Sequence, residues 1–187
     1  MALTMLDPKT APIVIDLQKG IVGVPTAHPI GGVLKRSRLL ADAFRVRGMA
    51  VVLVNVTGNA PGRTEQPRRD IRASPADFAD LVPELGHQLN DILITKRTWG
   101  AFASSDLESQ LRTRGVTQVV ICGIATGTGV EATARQAYEQ GFNVTLAIDA
   151  MTDTRDEAHD YSIRNVFPRL GETGSADGII ALLERRS

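Results

Sequence analysis

The chain has 187 residues, 43% of them apolar, enough to bury one sizeable core, so a single domain spanning 1–187 is expected. Lys and Arg number 21 against 21 Asp and Glu, so no global field draws in nucleic acid or an anionic membrane surface. One cysteine excludes an internal disulfide, and the sequence shows neither a basic-then-apolar leader nor an apolar run of the roughly 18–20 residues that span a membrane; a soluble cytoplasmic protein is expected.

In chain order, short β-branched runs alternate with longer amphipathic ones. Strands are predicted at 13–16, 50–56, 91–95, 118–122, 143–149 and 170–173. Several are continuous Val/Ile runs, as in parallel strands covered on both faces. A first helix over 33–47 carries Val33, Leu40 and Phe44 on one stripe and stops at Gly48. Residues 58–75 form an irregular stretch with three prolines and Arg63, Arg68, Arg69 and Arg72. It reads as a solvated surface loop or subunit contact, or as a lid gripping an anionic substrate. A helix over 106–114 follows Ser105, with Glu108 completing a capping box, and stops at Gly115. A helix over 128–140 opens on a second such box, Thr128 and Glu131, which puts Gly129 at the first helical position. Helices over 155–167 and 175–185 complete the series. Repeated strand–helix units predict an open, mostly parallel, three-layer α/β/α sheet with right-handed crossovers.

In such sheets ligands bind beyond the carboxyl ends of the strands, where the strand order reverses. Three features fall on that edge: Asp16 after the first strand, Lys96 after the third, and the glycine-dotted turn 123–129 after the fourth. The unpaired N–H groups that open the following helix suit an anion or a developing oxyanion. A carboxylate and an ammonium meeting there would shift each other's pKa and could run acid–base chemistry. Taken singly, Asp16 also reads as a turn former and Lys96 as a solvated strand end. Cys122, at the end of a buried strand, reads as a small apolar core residue rather than a displaced nucleophile. Trp99 and Phe102 suit either pocket walls that stack on a ring or ordinary packing. Gln18 suits either a substrate contact or a local turn contact. His28, His87 and His159 are scattered without ligand spacing, so neither metal nor cofactor is expected. A dinucleotide fingerprint, Gly123-x-x-x-Gly127-x-Gly129 with Asp149 as the ribose acid, competes. It sits on the fourth strand rather than the first and gives Asp16 and Lys96 no role.

Three collinear segments carry a resemblance: Val14-Ile15-Asp16-Leu17-Gln18-Lys19-Gly20, Lys96-Arg97-Thr98-Trp99-Gly100-Ala101-Phe102, and Cys122-Gly123-Ile124-Ala125-Thr126-Gly127-Thr128-Gly129-Val130-Glu131 with the helix that follows. Together they resemble the isochorismatase-like hydrolases, a superfamily that includes nicotinamidases and other cysteine amidohydrolases. The resemblance implies a Rossmann-like six-stranded sheet in the order 3-2-1-4-5-6, a small-molecule substrate and a homo-oligomer, dimer or larger. It implies that Asp16 is the acid/base, that Lys96 orients and tunes it, and that the peptide between Ile124 and Ala125 is cis. The N–H groups of Ala125 and Gly129 would form the anion pocket, beside Thr128. The amidohydrolases' nucleophilic cysteine falls on Gly129, so a thioester acyl-enzyme is closed to this chain. Isochorismatases proper also carry glycine there and hydrolyse a vinyl ether directly. The alternative within this resemblance is a catalytically silent relative that binds a small molecule. The Asp-x-His metal pair of nicotinamidases has no counterpart in Val56-Thr57-Gly58-Asn59-Ala60-Pro61.

Overall fold

A computed structural model describes residues 3–67 and 70–185. Six strands form one sheet: β1 (Thr10–Ile15), β2 (Val52–Val56), β3 (Ile92–Lys96), β4 (Gln118–Ile124), β5 (Asn143–Thr152) and β6 (Glu172–Gly174). All neighbours are parallel, in the expected order β3-β2-β1-β4-β5-β6. The order reverses between β1 and β4, which puts a crevice at their carboxyl ends. The helices are α1 (Lys19–Val22), α2 (Ile30–Arg45), α3 (Leu107–Thr113), α4 (Glu131–Glu139), α5 (Asp156–Tyr161) and α6 (Ala176–Glu184). Among the described residues no helix is long and apolar enough to cross a membrane.

The period-2 alternation of the strands divides their side chains between two cores. Ile13 and Ile15 of β1 join Val119 and Ile121 of β4 against Leu107 and Leu111 of α3 and Ala134 and Ala137 of α4. Val14, Val120 and Cys122 face the other way, onto Leu40 and Phe44 of α2 and Ile179 and Leu183 of α6. These are the two outer layers that the continuous apolar strands require. Gly48 (φ 65) and Gly115 (φ 69) lie just beyond the ends of α2 and α3 in the left-handed region, as expected for stop residues. Ser105 caps α3 by accepting the Leu107 N–H at 3.1 Å, but Glu108 pairs with Arg112 at 3.7 Å instead of reaching back.

Element ends differ from the sequence-based expectation where tertiary contacts take over. β5 runs on past residue 149 to Thr152, and its pairing with β4 jumps, from Ile121 opposite Leu146 to Gly123 opposite Met151. The 155–167 helix is real but uneven: α5 widens into a π turn (Ser162–Val166) and tightens into a 3-10 turn (Phe167–Arg169). Within 58–75 a short 3-10 turn forms at Ile71–Ala73 and residues 61–67 are exposed, while Arg68 and Arg69 lie outside the described residues.

Gly123 is where β4 presses on β1. A Cβ there would sit 2.2 Å from the Ile15 carbonyl oxygen, at a backbone φ of +115. Gly123→Ala is therefore expected to destabilise the fold by about 3 kcal/mol or more, since overlap and unfavourable φ add. Urea unfolding checks this, and a loss below about 1 kcal/mol would contradict it.

Candidate active site

Asp16 is the first residue beyond β1. Its φ of 53 lies in the left-handed region, which Asp visits more readily than most side chains. Its N–H still donates to the Val54 carbonyl at 2.9 Å, so the twist begins while the backbone remains tied to β2. Lys96 ends β3, two strands away, and its Nζ donates to Asp16 Oδ2 at 2.7 Å and to the Thr98 carbonyl at 3.2 Å. The pair is almost wholly inside the protein, with Asp16 5% and Lys96 1% exposed. Among the described residues, Oδ1 of Asp16 has no hydrogen-bond partner. Burial disfavours the carboxylate more than the Lys96 charge and hydrogen bond favour it, so the Asp16 pKa is raised to about 6. A carboxyl that titrates close to neutrality, with one oxygen free, is suited to proton transfer.

The peptide between Ile124 and Ala125 is cis, as the resemblance implied. The chain then winds through a π turn at Thr126–Val130 before α4 begins. The Ala125 carbonyl anchors this wide turn, accepting from the N–H groups of Thr128 and Val130, each at 3.1 Å. The helical path thus opens at Thr126, two residues ahead of the expected Thr128 cap, and the Thr128–Glu131 capping box does not form. Glu131 is drawn elsewhere: it pairs with Arg135 at 2.9 Å and accepts the Ser162 hydroxyl at 2.7 Å. Gly129 is buried against the carboxylate, and a Cβ built on it would lie 3.2 Å from Asp16 Oδ2 and 3.1 Å from Ile15 Cγ2. Asp16, Lys96 and Gly129 therefore meet.

The loop after Lys96 is pinned to α4. Thr133 donates its hydroxyl to the Gly129 carbonyl at 2.7 Å and accepts the Ala101 N–H at 3.1 Å, while Gln136 accepts the Phe102 N–H at 3.0 Å. The two aromatic side chains of this loop part ways. Phe102 is buried in the core with its ring 5.8 Å from that of Phe142, and Trp99 is 64% exposed. Gln18 makes the turn contact rather than facing the carboxylate: its amide spans the Val56 N–H and carbonyl and the Phe78 carbonyl at 2.7–3.1 Å. Cys122 lies in the core on the α2 face, and burial pushes its thiol up to about 12, so it is no nucleophile. Asp149, the ribose acid of the dinucleotide reading, is held by Arg36 at 3.1 Å and by the Ala176 N–H at 2.7 Å.

Two buried polar residues that the sequence reading passed over also reach the turn. Asp153 accepts the Gly127 N–H at 2.7 Å, and His159 Nδ1 lies 2.9 Å from the Thr126 hydroxyl. Ending β5 at residue 149 hid the first, because only the longer strand carries Asp153 to the carboxyl edge. His159 stands alone in the sequence, yet its ring centroid is 4.5 Å from that of His28.

An Isochorismatase domain profile matches residues 10–178. The chain belongs to the isochorismatase family. Members of this family are hydrolases. The chain is 41% identical over 175 residues to the isochorismatase family protein YwoC of Bacillus subtilis, covering 90% of this chain and 91% of that protein. It is 42% identical over 186 residues to the isochorismatase family protein YecD of Escherichia coli O157:H7, covering 93% and 96%. The structure of an isochorismatase family protein from Burkholderia thailandensis superposes with a TM-score of 0.91 at 36% identity, over 96% of this chain and 98% of that one.

Proposed function

We propose that this isochorismatase-family hydrolase cleaves a small metabolite by proton transfer at Asp16 and direct attack of water, with no covalent intermediate. The observation that supports this best is the buried Asp16–Lys96 pair, 2.7 Å apart, whose Oδ1 accepts from none of the described residues and whose Oδ2 faces Gly129, a residue with no side chain. A vinyl ether fits this chemistry, and isochorismate, for which the family is named, is the substrate we put first. Protonated Asp16 delivers its proton to the vinyl carbon, whose π electrons form the new C–H bond and leave an oxocarbenium ion. Water adds to that cation and returns a proton to the Asp16 carboxylate. The resulting hemiketal collapses to an alcohol and a ketone. Lys96 holds the carboxyl in place and limits how far burial raises its pKa. The N–H groups of Ala125 and Gly129 hold a substrate oxygen, with Thr128 alongside.

Incubating the purified protein with isochorismate, beside a panel of amides and ureides, tests this reading. Turnover of the vinyl ether alone is expected. A thermal shift with a ligand but no turnover of any compound would instead favour a silent binding protein. Gly129→Ala gives a second test, because the new Cβ would force the Asp16 carboxylate or Ile15 to move by a few tenths of an ångström. Turnover is expected to fall by about tenfold, since proton transfer is sensitive to such displacements. Unchanged turnover would show that the carboxylate is not held where the chemistry occurs.

A further inference from the structure

The segment that follows β5 reaches back through three side chains, two of them to the Thr126–Val130 turn and one to Glu131 at the start of α4. Asp153 takes the Gly127 N–H, His159 meets the Thr126 hydroxyl, and Ser162 donates to Glu131. Asp153 and His159 are 4% and 5% exposed, and polar groups buried this deeply are costly unless bonded. The second oxygen of Asp153 accepts the N–H groups of Thr154 at 2.8 Å and Arg155 at 3.3 Å, so the carboxylate is fixed at the head of α5 before it holds the turn. His159 and Ser162 are three residues apart and share one helix face. The backbone approaches closely as well: a Cβ on Gly127 would lie 3.4 Å from Ala158 Cβ. Apolar packing would hold this segment near the turn, but directional bonds decide how the turn is rotated. That rotation sets where the Ala125 and Gly129 N–H groups aim.

We propose that His159, through the Thr126 hydroxyl, and Asp153, through the Gly127 N–H, are positioning residues that set the orientation of the anion-holding turn. The proposal rests on the reading of that turn given above. His159 adds a dependence on pH. Burial and the facing His28 lower its pKa, against Asp160, Asp153 and Asp156, which raise it. Arg36 and Asp149 line the same cavity of about 450 Å³ as the two imidazoles. With the neutral ring's proton on Nε2, Nδ1 accepts the Thr126 O–H. Once protonated, Nδ1 donates instead, and the hydroxyl must rotate to a new acceptor. Acid thus rewires the first residue of the turn.

Amide NMR of the full chain between pH 4.5 and 8 tests this directly. The Gly129 amide resonance also senses the adjoining Asp16 carboxyl, whereas that of Gly127 is expected to follow the titration of the His159 ring. In Thr126→Val that inflection should vanish while the ring still titrates, and in His159→Phe it should vanish with the ring. Thr126→Ser should keep it. With isochorismate as the probe, His159→Phe is expected to lower kcat about five- to tenfold, the loss of one buried hydrogen bond, with KM within about twofold. His159→Asn, whose amide reaches the Nδ1 position, should recover most of the rate. A Gly127 amide that titrates unchanged in Thr126→Val, or an His159→Asn rate no better than that of His159→Phe, would overturn the proposal. Absence of isochorismate turnover by the parent would sink the activity reading alone, and the amide titrations would still decide whether the turn is held this way.

Discussion

Asp16→Asn is expected to lower isochorismate turnover by two or more orders of magnitude, the usual penalty for losing a general acid or base. The amide is close to isosteric and can still accept from Lys96, but it has no proton to give. It also removes the counter-charge from an ammonium that is 1% exposed. Removing one partner of a buried pair costs about 3–5 kcal/mol in general, so turnover must be expressed per folded molecule. The same variant has a second signature. The Asp16 pKa in the folded protein is about 6 against 3.8 in its absence. The native state therefore binds more protons than the unfolded chain between these values. Stability from this group is complete below about 4 and is lost as pH rises through about 6. Denaturant melts of the parent should weaken across that window, and Asp16→Asn should abolish that part of the slope. Ordinary turnover in a folded Asp16→Asn protein would remove the residue from the mechanism.

Lys96→Met should act on the pH profile as much as on the rate. Both influences that pull the Asp16 pKa down, charge and hydrogen bond, come from Lys96, while burial pushes it up. Taking the ammonium away leaves burial unopposed. The pH limb governed by Asp16 is then expected to move upward by about one unit or more. The plateau rate should fall by about 10- to 100-fold, because the carboxyl becomes a weaker acid and loses the contact that aims it. Because Asp16 is protonated at neutral pH in this variant, the buried site no longer holds an unpaired charge, and the protein should fold. A rate loss with the limb unmoved would mean that Lys96 acts on the substrate rather than on Asp16.

The sheet was legible because parallel strands covered on both faces must be apolar throughout, and Val, Ile and Leu runs show it. Gly48 and Gly115 marked helix ends by the left-handed backbone they adopt. Asp16 and Lys96 were legible as strand-end residues, and the family resemblance joined them; nothing in their local sequence specifies the 2.7 Å contact between chain positions 80 residues apart. Local rules failed at the turn. A Thr-x-x-Glu pattern fits a capping box, but here the Ala125 carbonyl organises a π turn and Glu131 takes Arg135 and Ser162 as partners. Asp153 and His159 were hidden for a related reason. Their partners are a backbone N–H and a hydroxyl on another segment, and periodicity carries no record of either. Phe102 and Trp99 share one loop, yet one packs in the core and the other is exposed, a division that composition cannot make.

The most direct test of this account is the pH dependence of kcat/KM for isochorismate. If buried Asp16 must carry the proton that starts the reaction, activity should fall about tenfold for each unit above about pH 6, with no more than the several-fold change due to His159 below it. A profile that instead rises through pH 6 would make Asp16 a base and contradict protonation of the vinyl carbon. A flat profile would take its titration out of the reaction altogether.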